Sequence, residues 1–271
     1  MKKVVLILIA VLFTTVFISC KNNPDTQKDE KIVEVTHETG LSETSEDLAL
    51  IETKEMDPET QVEYLYVTAI SGLSLREFGN LQSEKLARMP YGTKVKVISA
   101  EKNATMNIGG IKGGMNEVEF NHKKGFAFNG YLSKYFPPER DISAKGYTNE
   151  LKRIFPEVIF TESNGGTASN PSNTETIVLP EAQWHEAFFM AQRLFDFPKE
   201  FDFPIPKGKN TQTITDGKPK RDVWVSQLEI TRKDNVLKKI EYVYKSKKFD
   251  SKVIIFKESG TMKISRTEMV K

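Results

Sequence analysis

The one cysteine of the chain is Cys20, and its three histidines are His37, His122 and His185. Thiols and imidazoles are the side chains best suited to nucleophilic, metal and proton-transfer chemistry. A single thiol excludes an internal disulfide framework and a multi-cysteine metal site. No histidine has a second His, Cys or acid at the spacing of an H-x-x-E-H or H-E-x-x-H motif. All three therefore read as solvated surface side chains. No G-x-S-x-G nucleophile elbow is present. The run Gly109-Gly110-Ile111-Lys112-Gly113-Gly114 suggests a phosphate cradle, but it lacks the G-x-x-x-x-G-K-[ST] pattern and no helix is expected after it. It reads as a loop tip. Glu157, Glu162 and Glu181 flank expected loops and could meet as a carboxylate pair, although surface solvation is the default for acids. No reaction is legible in these residues, and no metal or cofactor is expected.

These side chains are carried by 271 residues, room for one large domain or two small ones. Hydrophobic residues are 38% and charged residues 28%, a globular but polar balance. The formal net charge of +2 gives no reason to expect a nucleic-acid partner. Charge is unevenly placed: acids outnumber bases about three to one between Lys21 and Thr60, so the remainder is basic.

Residues 1–20 form a targeting segment. Lys2 and Lys3 precede an apolar run, Val4 to Ile18, broken only by Thr14 and Thr15. That run is shorter than the roughly 20 residues a spanning helix needs. It ends in Phe17-Ile18-Ser19-Cys20. This resembles a bacterial lipoprotein signal, with Phe where the lipobox usually has Leu. The resemblance implies cleavage before Cys20, lipidation of Cys20 and anchoring in a bacterial membrane by more than one acyl chain, which is what stable anchoring takes. Lipidation would consume the only thiol, so a cysteine peptidase is not expected. Residues 21–62, rich in Glu and Asp with few aromatics, read as a disordered acidic tether.

Tyr64 to Thr68 alternates and is rich in β-formers. Gly72-Leu73-Ser74-Leu75-Arg76 enters a long loop, and Asn80 to Arg88 is a polar loop. Pro90-Tyr91-Gly92-Thr93 is a turn. Thr93 to Ser99 and Met115 to Phe120 are half-buried strands around a Gly-rich insertion, and Gly125-Phe126-Ala127-Phe128 follows a turn at Asn121–Lys124. This order, through residues 63–136, resembles a bacterial SH3 (SH3b) domain. The family commonly carries Gly-Trp-Val where this chain has Gly125-Phe126-Ala127; Phe keeps the aromatic body. The resemblance implies a small β-barrel and a ligand such as cell-wall peptide. Tyr66, Tyr91, Phe128 and Tyr131, with Tyr135, are the candidate ligand-binding side chains; their alternative is the barrel's own core.

Pro137 to Lys145 reads as a boundary. Residues 146–271 are expected to form an α+β domain of no recognised family. Tyr147 to Phe155 reads as a short helix, Ser163 to Thr174 as a loop, and Ile177-Val178-Leu179 as a short strand. Glu181 to Phe195 has Trp184, Phe188, Ala191 and Phe195 on one helical face. Pro198, Pro204 and Pro206 forbid regular structure up to about Gly208. A meander follows: Val223 to Thr231 with Trp224, Leu228 and Ile230 on one face, then Val236 to Tyr244, Ser251 to Lys257 and Thr261 to Arg266. The helix is expected to cover its apolar face.

The expected fold is thus mainly β, an SH3-like barrel followed by a helix-covered meander. The expected function is a non-catalytic envelope lipoprotein, membrane-attached through its lipid, that binds cell-wall (peptidoglycan) peptide or an envelope protein. Two alternatives stand beside it. One is an envelope hydrolase with its site in the C-terminal domain, from paired carboxylates or one with His185. The other is a structural or inhibitory partner of another secreted protein through the meander edge.

Overall fold

The computed structural model describes residues 62–271. The leader, Cys20, His37 and the tether up to residue 61 lie outside the described residues. The described part is mainly β, with antiparallel sheets and two α-helices.

The first half contributes β1 (Tyr64–Val67), β2 (Leu73–Arg76), β3 (Lys85–Met89), β4 (Lys94–Ser99), β5 (Met106–Ile108), β6 (Ile111–Gly113), β7 (Met115–Phe120), β8 (Lys123–Phe128), a 3-10 turn at Asn129–Tyr131 and β9 (Leu132–Ser133). Seven of these form one sheet in the order β3-β2-β8-β7-β4-β1-β9. Alternation decides what points inward: Leu73, Leu75, Val95 and Val118 are buried, and Val97 is half-buried. Asn121 and His122, both left-handed at φ 49° and 61°, close the β7–β8 hairpin in two residues. Gly72 turns the chain into β2 at φ 82°, where an added Cβ would lie 2.9 Å from the Met89 carbonyl oxygen. The Gly-rich insertion is itself a hairpin, β5–β6, and β3 occupies the end of the expected polar loop.

The second half contributes α1 (Ala144–Lys152), β10 (Ile159–Gly166), β11 (Pro171–Leu179), α2 (Trp184–Leu194), β12 (Thr211–Thr215), β13 (Val223–Lys233), β14 (Val236–Ser246), β15 (Phe249–Glu258) and β16 (Thr261–Val270). The second sheet runs β10-β11-β16-β15-β14-β13-β12, with every pairing antiparallel. Two-residue turns set its register: Asp234-Asn235 and Ser259-Gly260 all have positive φ. Register then aligns one isoleucine from each of five adjacent strands, Ile230, Ile240, Ile255, Ile264 and Ile177. All five are fully buried on the face that α2 covers, through Ala187, Phe188 and Ala191. The opposite face carries polar rows, such as Thr174 against Thr267 and Thr176 against Ser265, hydroxyls bonded at 2.9 and 3.0 Å.

Three sequence expectations need correction, and one further strand carries no signal in the sequence. Ser163 to Thr174 is not a loop: β10 and β11 pair continuously from Ile159–Val178 to Gly166–Pro171. The strands lack apolar alternation there because the hairpin projects past the core, held by its ladder and by side-chain bonds such as Asn173 Nδ2 to Glu162 Oε1 at 3.0 Å. The first helix begins earlier, at Ala144, where the Ser143 hydroxyl accepts from the Gly146 amide at 3.0 Å, and it ends before Ile154 and Phe155. Thr211–Thr215 is a strand without an apolar signal. Trp224 does not share the buried face of Leu228 and Ile230: the ladder shifts between Val223 and Val225, and this bulge turns the indole outward, 58% exposed.

The described residues fall in one compact unit, so Pro137–Lys145 joins two sheets that remain in contact. The Tyr135 hydroxyl donates to the Pro180 carbonyl at 2.6 Å, and the Tyr147 hydroxyl to that of Phe136 at 2.7 Å. Lys134 pairs with Glu181 at 2.7 Å. Among the described residues no helix is long and apolar enough to cross a membrane.

Candidate binding groove

The aromatic candidates of the first sheet are positioned by this junction. Phe128 is buried, its ring edge-on to Tyr131 at 5.7 Å. Tyr131 also meets Phe189 of α2 at 6.2 Å. Tyr66 packs edge-on against Phe136 at 5.8 Å. Tyr91 lies under the Arg193 guanidinium and donates to the Pro138 carbonyl at 3.1 Å. Burial pushes its hydroxyl up to about 12, against the pull of Arg193. Tyr135 is fully buried against Phe155 at 4.9 Å. These rings contact the rest of the chain rather than lining one common groove.

The carboxylate and histidine candidates are likewise engaged separately. Glu162 bonds Asn173 and faces Lys145 at 3.8 Å. Glu181 is fully solvated, and its hydrogen bond to Lys134 holds its carboxyl below the usual range. His122 is an exposed turn residue. His185 corrects the surface expectation: it is half-buried, 6.0 Å from the Phe203 ring, and burial pushes its imidazole down to about 4. It is neutral at pH 7. Beside it Glu186 is buried at the start of α2, where it accepts the Gln183 amide at 2.6 Å in a capping box. Burial raises its carboxyl above the ordinary value. None of Glu157, Glu162, Glu181 and His185 lines the groove described next. Among the described residues no three His, Cys, Asp or Glu side chains are grouped as metal ligands.

An open groove of about 770 Å3 lies beyond the end of α2. Its floor is the core face of β13 and β14 where the isoleucine row gives way to Ser226, Tyr242 and Tyr244. The end of α2 and the Phe197–Glu200 segment form one wall, and the β12–β13 loop forms the other. The floor is hydrogen-bonded in series. Ser226 Oγ and Tyr242 Oη lie 3.2 Å apart, Ser226 Oγ donates to Asp216 Oδ2 at 2.9 Å, and the Lys218 amide donates to Asp216 Oδ1 at 2.8 Å. Burial raises the Tyr242 hydroxyl, so it remains a protonated donor at neutral pH. Tyr244 stacks on Phe249 at 5.2 Å beside a smaller recess of about 170 Å3 that includes Arg266 and Glu268.

Five cations line the large groove: Arg140, Arg193, Lys199, Lys218 and Lys220. Four acids stand among them: Asp141, Asp196, Glu200 and Asp216. None of the nine belongs to an ion pair among the described residues. The buried Nε of Arg193 has no hydrogen-bond acceptor. Chemically, the groove presents donors and acceptors of both signs over a tyrosine floor. Ser226 has an acid partner but no imidazole among the lining residues. Sequence reasoning missed this site because its floor residues read only as strand alternation. The signals that point to it are Tyr242-x-Tyr244 on a buried face and the polar Asp216–Arg221 run before β13. Searches of family models, of curated proteins and of solved structures find no match.

Proposed function

We propose that the chain is a lipid-anchored bacterial envelope protein that binds cell-wall peptide without transforming it. Cys20 is the anchor site. The first sheet is an SH3-like barrel that serves as a platform, and the ligand is held in the groove of the second sheet. Support for the barrel comes from its pairing: β4, β7 and β8 form a meander, β1 joins β4 to β9, and the 3-10 turn precedes β9. The β2–β3 hairpin occupies the long first loop of that plan.

The observation that carries the binding reading is the set of nine charged groove residues without ion-pair partners. A cell-wall peptide carries carboxylates and ammonium groups on one short chain, and such a ligand can engage both signs over a tyrosine surface. The test is retention of the 62–271 unit on purified sacculi, compared with Arg193→Ala and Tyr244→Ala variants. Retention of the native unit and its loss in both variants is expected. No retention on wall or envelope extracts overturns the reading.

A second reading, a structural partner of another secreted protein, draws on β10. This eight-residue edge strand is exposed except at Phe160, and it contains no Lys, Arg or Pro to discourage pairing. Ser163→Pro would abolish partner capture on that reading and leave sacculus retention intact.

A further inference from the structure

At the end of the second sheet where β13 begins and β16 finishes, exposed apolar and cationic side chains converge. The bulge presents Trp224 outward, 58% exposed, with Val270 49% and Met269 36% exposed at the same end. Register puts Lys245, Asp250 and Met269 in one row on the face to which the bulge turns Trp224, and Val270 on the other face. Backbone bonds tie the loops, from the Lys247 amide to the Asp222 carbonyl at 3.1 Å and from the Lys271 amide to the Lys248 carbonyl at 3.2 Å. Lys271 Nζ lies 4.4 Å from the Trp224 ring centroid and donates to the Ser246 carbonyl at 3.0 Å. Arg221, Lys245, Lys247 and Lys248 are all exposed at this end. Among the described residues Lys271 is the one cation here with an acid partner, Asp250 at 2.7 Å, a contact not aligned as a hydrogen bond.

We propose that this end of the sheet docks on an anionic lipid surface, with Trp224 and Met269 entering the headgroup region and the surrounding lysines and Arg221 meeting lipid phosphates. The chemistry matches each part. Indole favours the membrane–water interface, and lysines on flexible stems keep their charge in the headgroups while apolar neighbours go deeper. A soluble polyanion would use the cations but leave the exposed Trp224 and Met269 without a role. The bulge matters because a regular ladder would have placed Trp224 on the covered face. The site is separate from the peptide reading of the groove, so either can fail alone.

The experiment uses the 62–271 unit, without any acyl anchor, and sedimentation with phosphatidylglycerol or phosphatidylcholine vesicles. Pelleting with phosphatidylglycerol only is expected. It should be accompanied by a blue shift of tryptophan emission and quenching by brominated acyl chains, both lost in Trp224→Phe. Each lysine near an anionic surface contributes about fivefold, so Lys247→Ala/Lys248→Ala should lower partitioning roughly 25-fold. Thermal melts of both variants should match the native unit, because none of the three side chains is buried. Absence of pelleting overturns the proposal. Pelleting without Trp224 quenching, or equal binding to soluble polyphosphate with no emission change on vesicles, also overturns it in favour of a plain polyanion site.

Discussion

The candidate rings of the first half, Tyr66, Tyr91, Phe128, Tyr131 and Tyr135, are half-buried or buried in contacts within the chain, whereas Trp224 of the second half is 58% exposed. Charge divides along a similar line. Residues 62–192 contain 14 Lys and Arg against 14 Asp and Glu; residues 193–271 contain 19 against 11. The positive excess of the described unit therefore lies in the part that carries the groove loops and β12–β16. A half with no net charge has no long-range pull on a charged partner, whereas a half with a surplus of cations is suited to contact an anionic one. The first half, which the sequence resemblance marked as the binder, is on this view the support.

The largest expected effect tests whether the halves are one folding unit. Ile240 lies in the isoleucine row between Ile230 and Ile255 and is fully buried. Ile240→Ala removes three heavy atoms from a site whose neighbours are fixed by the ladder, so about 2–5 kcal/mol of stability should be lost. Urea unfolding followed by tryptophan emission and by exchange of β4 and β7 amides should give one coincident transition. A first sheet that stays protected after the second unfolds would break the comparison into two independent domains.

The next effect is set by pH and lies at the junction. His185 is held at about 4 in the fold, below its ordinary value near 6.5, so the unfolded chain binds more protons between those values. Stability from this residue is present above pH 6.5 and is lost as pH falls toward 4, on the order of 2–3 kcal/mol in full. Glu186, one residue on, has a raised carboxyl and the opposite slope: its folded form keeps a proton that the unfolded form gives up, so stability falls as pH rises above the ordinary carboxylate range. His185→Phe should flatten the acid limb of a stability–pH curve. Glu186→Gln, which can retain the Gln183 amide bond, should remove the opposing limb and leave the protein at least as stable at pH 7. Unchanged curves in both variants would show that these side chains are solvated in solution.

A smaller loss should follow from Tyr135→Phe. Its hydroxyl crosses the junction to the Pro180 carbonyl, and removal should cost about 1–2 kcal/mol, read as a lower Tm. That bond also marks where the sequence stops being legible. The first-sheet strands, the α2 face and the meander follow from periods of 2 and 3.6, which a short apolar pattern records in place. The β10–β11 hairpin carries no such record, because Gly165, Asn164 and Ser163 are held by a ladder rather than by a buried face. Trp224 was misplaced because one bulged residue reverses parity, and nothing in Val223-Trp224-Val225 announces a bulge. The groove was illegible for a different reason. Arg193, Asp216 and Tyr242 are far apart in the chain, and only the sheet order brings them to one surface.

The smallest stability effects should discriminate most sharply between the halves. Lys94 is an exposed strand residue of the first sheet, its ammonium 4.3 Å from the Tyr64 ring centroid. Lys220 is an exposed loop residue at the groove rim. Neither belongs to an ion pair among the described residues. Replacing either by Ala should change stability by no more than about 0.5 kcal/mol. Their consequences for binding should differ. Lys220→Ala should weaken sacculus retention and flatten its dependence on salt, because it removes a cation facing the ligand. Lys94→Ala should leave both unchanged. If Lys94→Ala instead proved the more damaging, the ligand would lie on the first sheet, and the assignment of support and contact to the two sheets would have to be exchanged.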